Sequence, residues 1–128
     1  MKKYKFLKLE GGKIKSNSGN EVWKIGEWKK LEGKPDLCNY GFHCSIEPYD
    51  AFSYVQGEIL AEVEVRGKSD IQKDKEAWSE MRIVKAYKWT KKDSLRLGAA
   101  WSAAASAAIK KIQKEFKEIV KDLESVKE

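Results

Sequence analysis

Residues 58–66, EILAEVEVR, constrain the fold more than any other segment: Ile59, Ala61, Val63 and Val65 alternate with Glu62, Glu64 and Arg66. Successive side chains of a strand point to opposite faces, so the pattern predicts a strand with one apolar face, ended by Gly67. Such a strand needs partners and a cover. Residues 81–90, MRIVKAYKWT, alternate again, with Met81, Ile83, Tyr87 and Trp89 expected on one side, and the two strands are expected to share a sheet. Between them the polar stretch KDKEAWSE reads as a helical turn.

Upstream, residues 3–9 (KYKFLKL) read as a strand with Tyr4 and Phe6 on one face, stopped by Gly11 and Gly12. A turn cluster at residues 16–20 precedes a second, irregular strand containing Val22, Trp23, Ile25 and Trp28, broken at Gly26. Gly33, Pro35, Asn39 and Gly41 mark a loop that enters a short strand at residues 42–44. A short helix follows, capped by Ser45 or Glu47, with Pro48 and Asp50 in its first turn, Ala51, Phe52 and Val55 facing inward, and Gly57 after its end.

Thr90, with Asp93 three residues on, is a variant capping box, and no proline follows it. One helix is therefore expected from residue 91 to 128, about 50 Å long. Its first half, GAAWSAAASAA, has small residues on nearly every face. In its second half Ile109, Ile112, Phe116, Ile119, Leu123 and Val126 recur at heptad spacing. That stripe either packs on the chain's own sheet or pairs with a target or a second copy, as a homodimer through the C-terminal helix. The expected fold is α+β: a small, mostly antiparallel sheet with one short helix in residues 1–90, and a long C-terminal helix in 91–128.

With 128 residues, 41% hydrophobic and 36% charged, and with five Trp, five Tyr and four Phe, the chain is expected to be one folded domain. The net charge of +6 is uneven: ten lysines against five acids in residues 1–40, seven basic residues against nine acids in 41–90, and nine against six in 91–128. Basic ends of this kind suit nucleic acid or an acidic protein, and equally a solvated lysine-rich surface. For nucleic acid the candidates are Lys2, Lys3, Lys5, Lys8, Lys13 and Lys15, with Trp23 and Trp28 stacking on bases. The longest apolar run is too short and too interrupted to span a membrane, and the N-terminus lacks the apolar segment of a secretory signal. A cytoplasmic protein with no membrane partner is expected, in which Cys38 and Cys44 stay reduced as small core residues.

The densest cluster of chemically capable residues is CNYGFHCS, residues 38–45, with the only histidine, His43. Cys38, His43 and Cys44 fall short of the four ligands of a structural zinc site, so no metal is expected. His43 and Cys44 are adjacent on a strand and point to opposite faces, which argues against a Cys–His nucleophile pair. No phosphate-binding glycine loop or nucleophile elbow occurs.

Residues 37–89 resemble a domain of unknown function found in small phage and prophage proteins. The resemblance rests on the pattern C-x-x-G-F-H-x-[CS], then a helix with an acid and aromatics ending in Tyr, then A-E-V-E-x-x-G, a Lys and an I-x-I strand. It is carried here by Cys38, Gly41, Phe42, His43, Cys44, Asp50, Phe52, Tyr54, Ala61, Glu62, Val63, Glu64, Gly67, Lys75, Ile83 and Lys85. It implies origin in a mobile element and action in the cytoplasm of a bacterial host cell. Three functions follow as expectations. The first is a binding protein of anti-CRISPR type that occupies a host or defence protein or ribonucleoprotein without catalysis, through Ile109, Ile112, Phe116, Ile119 and Leu123, and needs no cofactor. The second comes from a similarity to ADP-ribosyltransferases, which implies NAD bound by His43 and Tyr54; a late-strand catalytic Glu has no counterpart, since Glu62 and Glu64 fall on the wrong strand. The third is nucleic-acid binding through the N-terminal lysines.

Overall fold

The computed structural model describes residues 2–17, 21–37, 40–54, 56–103 and 109–126, without the side chains of Ser53, Tyr54, Ile109 and residues 100–103. Strand β1 (Lys3–Glu10) turns at Gly11 and Gly12, whose φ angles of 59° and 77° suit a two-residue hairpin, into β2 (Lys13–Lys15). Short strands β3 (Val22–Trp23), β4 (Lys29–Lys30) and β5 (Phe42–Cys44) precede helix α1 (Pro48–Tyr54). The hairpin of β6 (Ile59–Ile71) and β7 (Glu76–Lys88) is the backbone of the fold, followed by α2 (Lys91–Ala103) and α3 (Ile109–Lys121). The sheet runs β3-β2-β1-β6-β7-β4, with β5 also on β7, and its pairings are antiparallel. The α+β expectation holds.

The sheet curls until its two sides meet. Beyond the end of β5, Ser45 and Tyr4 exchange backbone hydrogen bonds of 2.7 and 2.9 Å, so that β1, β6, β7 and β5 form a ring joined at one narrow bridge. Inside it pack Leu7, Ile14, Trp23, Phe42, Ile59, Val63, Met81 and Ile83. The opposite face carries Phe6 and Leu60 beneath the helices, where Trp89 stacks on Phe116 at 4.8 Å and Phe52 closes the aromatic cluster. Tyr4 and Phe6 share that outer face, as their spacing predicts.

Strand β6 does not end at Gly67 but runs on to Ile71, past a register shift between Arg66 and Ser69. Three further expectations are corrected. KDKEAWSE is not a helical turn: its first residues form the hairpin turn, where Gln72 N–H donates to the Lys75 carbonyl at 2.9 Å, and the rest begins β7. Tyr87 and Trp89 do not share a face with Met81 and Ile83. The register skips Val84 as the pairing passes from Val63–Ile83 to Glu62–Lys85, and this bulge reverses the inside-outside order, putting Ala86 inside and Tyr87 outside.

Thirdly, the C-terminal region is two helices rather than one. The capping box forms, with Thr90 N–H 2.8 Å from Asp93 Oδ2 and Asp93 N–H 3.4 Å from Thr90 Oγ1. The chain then doubles back, because Arg96 bonds to Asp122 at 2.8 Å although 26 residues separate them, about 39 Å along a straight helix. Folding back lets Ile112, Phe116 and Ile119 bury themselves on Phe6, Leu60 and Trp89. Each such burial contributes about 1.5–3 kcal/mol, which an extended helix would forgo. After α3, residues 124–126 pair with the end of β7: Lys88 N–H donates to the Glu124 carbonyl and Val126 N–H to the Ala86 carbonyl, both at 2.8 Å. Among the described residues no helix is long and apolar enough to cross a membrane.

Candidate functional site

Where β5 and β1 part beyond their single bridge, the ring stays open as a cleft of about 610 Å³. Its walls are β5 with Tyr40 and Gly41 before it, the middle of β1, and the corner between β2 and β3 that carries Ser16, Asn17, Glu21 and Trp23. Local chemistry fixes each wall. Gly41 enters β5 at φ 121°, and a β-carbon there would lie 3.0 Å from that of Pro35 and 3.2 Å from that of Ala77. Only glycine fits this approach without strain. Asn17 Nδ2 donates to the Phe6 carbonyl and Trp23 Nε1 to Ser16 Oγ, both at 2.8 Å, which ties the β2–β3 corner to β1. Trp23 in turn packs edge-on against Phe42 at 5.4 Å.

Two titratable groups meet in the cleft. His43 is half-buried, and burial, followed by the positive charge of Lys5, holds its imidazole below the usual histidine range, although a hydrogen bond with the Gly41 backbone pulls the other way. The imidazole is therefore neutral at pH 7. Lys5 Nζ donates to the His43 carbonyl at 2.9 Å and lies 5.9 Å from the Trp23 ring centre. Burial pushes its ammonium down to about 8. Glu21 is the one carboxylate among the described lining residues, and Lys29 holds it at 3.1 Å. Cys44 is buried, and burial, with Glu76 next, pushes its thiol up to about 12, so it is an inert core residue rather than a nucleophile.

The other expected sites fare differently. The helix stripe faces inward: Ile112, Phe116 and Ile119 are 2%, 0% and 0% exposed and Leu123 is half-buried against the same cluster, so the chain's own sheet already occupies the seam intended for a partner or a second copy. The side chain of Ile109, like Cys38 and the side chain of Tyr54, lies outside the described residues. The nucleic-acid set is dispersed. Trp23 is 1% exposed and cannot stack on a base. Lys8 and Lys15 both pair with Glu10, and Lys13 stands exposed on the same hairpin. Trp28 lies elsewhere, under the Arg66 guanidinium at 3.8 Å with Arg82 at 5.0 Å. Glu62 pairs with Lys2 and Glu64 with Arg82, and neither lines the cleft. Among the described residues no group of three His, Cys, Asp or Glu is placed to hold a metal ion.

Sequence reasoning missed the inward turn of Lys5 and the contribution of Ser16, Asn17 and Glu21. One signal was present: residues 3–9 carry apolar side chains at both parities, Tyr4 and Phe6 on one and Leu7 and Leu9 on the other, so Lys5 shares a face with Leu7.

A family model described as "Domain of unknown function (DUF7666)" matches residues 3–93. The chain belongs to this family. The matched DUF7666 region contains the described lining of the cleft and the seven strands of the described residues and stops in the first turn of α2, which leaves the rest of α2 and α3 beyond it. No curated protein and no solved structure matches the chain.

Proposed function

We propose that this domain is a small-molecule-binding module whose working site is the cleft between β5 and β1. The observation that carries the reading is the meeting of a neutral His43 imidazole and the Lys5 amine in a 610 Å³ opening, a volume in the usual range for ligand sites. The similarity to ADP-ribosyltransferases makes an NAD-type dinucleotide the first ligand to test. The residues present suit binding better than transfer, because the only described carboxylate in the cleft, Glu21, is engaged by Lys29.

Thermal unfolding with millimolar NAD tests this reading. A stabilised wild type and an unresponsive, folded His43→Ala variant support it, since a ligand that binds only the native state raises its stability by mass action. An unchanged wild type counts against NAD.

Origin in a mobile element and action in a bacterial cytoplasm remain part of the proposal, resting on the resemblance of residues 37–89 to phage and prophage proteins. Genes for phage functions beside the coding sequence would support it; a purely metabolic neighbourhood would oppose it. An inhibitor acting by contact on a host or defence complex has lost the helix stripe as its surface, and it ranks below the cleft reading. Nucleic-acid binding ranks below both, because its two tryptophans are buried or stacked away from the lysines.

A further inference from the structure

We propose that the cleft selects ligands bearing an anionic oxyacid group, phosphate or carboxylate, and that Lys5 is the residue that receives it. This rests on the cleft being the binding site and adds the chemical class it selects.

Most lysines of β1 and its flanks have a carboxylate partner. Lys2 pairs with Glu62, Lys3 with Glu76, and Lys8 and Lys15 with Glu10, at 2.7–3.4 Å. Lys3 shows what a purely structural lysine on the inner face looks like here: its ammonium is 2.7 Å from a carboxylate that the Trp78 indole also holds. Lys5, two residues on and on the same face, has no such partner. Among the described residues no carboxylate lies within 4.0 Å of it, and its hydrogen bond goes to the neutral carbonyl of His43. Glu21 acts on this half-buried ammonium only through space and the Trp23 ring faces it at 5.9 Å, whereas Lys2 and Lys3 have carboxylates in contact; a partly desolvated cation with no contacting counter-charge is costly.

The ammonium nevertheless borders the open cleft instead of closed core. Lys75 lines the same cleft and adds a second positive charge felt at His43, while Glu21 is held by Lys29. An anionic oxygen entering beside His43 would meet an oriented donor in a poorly solvated setting, where charge-assisted hydrogen bonds are strongest. Tyr40, which is exposed, and the half-buried Leu31 give the cleft apolar surface for the rest of the ligand.

The test is calorimetric titration of wild type, Lys5→Met and Lys5→Arg with three probes: pyrophosphate, succinate and uncharged adenosine, with ionic strength matched. Binding of pyrophosphate or succinate to wild type is expected, the better of the two naming the oxyacid, with affinity falling about tenfold or more in Lys5→Met and largely kept in Lys5→Arg. The side-chain resonances of Lys5 give a second readout in the unmutated protein: a bound anion raises its titration midpoint from about 8. Equal anion affinity in wild type and Lys5→Met overturns the inference. So does adenosine binding in the cleft with neither anion bound, an outcome that leaves the cleft reading standing. If none of the three probes nor NAD binds, both fail.

Discussion

Replacing Lys5 by Met tests whether its ammonium is truly desolvated, before any ligand is known. The folded chain releases the Lys5 proton near pH 8, against an ordinary value of 10.5 in the unfolded chain. Between those values the unfolded state holds more protons, so stability rises with pH and the gain is complete above about 10.5. From about pH 6.5 to about pH 9 the wild type should gain about 1.4 kcal/mol from this group. Neighbouring groups leave that window nearly clear. Tyr4 and Cys44 are raised in the folded state, so they cost stability only as the unfolded phenol and thiol ionise, near 10 and 9 and above. His43 is lowered and acts below 6.5, where the unfolded imidazole takes up a proton first. Urea unfolding followed by tryptophan fluorescence across this range, in wild type and Lys5→Met, isolates the effect as a difference. The wild-type curve should climb relative to the variant, and the variant should be no less stable at neutral pH. Parallel curves would mean that solvent reaches the ammonium and that the electrostatic argument fails.

Three further outcomes are expected. Phe116→Ala should lose about 3–5 kcal/mol in urea unfolding, since the ring is fully buried against Trp89, Phe6 and Phe52. Ile112→Asp with Ile119→Asp should abolish the folded circular dichroism signal, whereas a folded variant with an altered mass by light scattering would restore the stripe as an interface. Gly41→Ala should cost about 1–3 kcal/mol, from a left-handed φ of 121° and crowding by Pro35 and Ala77, and should weaken cleft binding by displacing His43.

Much of the sheet was legible because alternation is a local signal: β6 turns Ile59, Ala61 and Val63 inward as its pattern predicts, and β5 and α1 lie where the glycines and the helix-start residues place them. What stayed hidden depends on long-range pairing. Nothing in MRIVKAYKWT marks Val84 as the extra residue of a bulge, yet that residue sends Tyr87 and Trp89 to the other face. The heptad stripe was visible, but whether it met a partner or its own sheet depended on the reversal between α2 and α3, which no proline or glycine announces. Within the site, His43 stood out as the only histidine. Lys5 looked like one of many surface lysines, because its burial comes from β5 closing back onto β1.

The most direct test of the cleft as the working site is the mapping of amide and indole resonances in the 14.7 kDa protein during titration with NAD and pyrophosphate. The account predicts saturable shifts concentrated at Lys5, Asn17, the Trp23 indole, Phe42 and His43. Shifts confined to the Trp28–Arg66–Arg82 face or to α2, with the cleft silent, would contradict it.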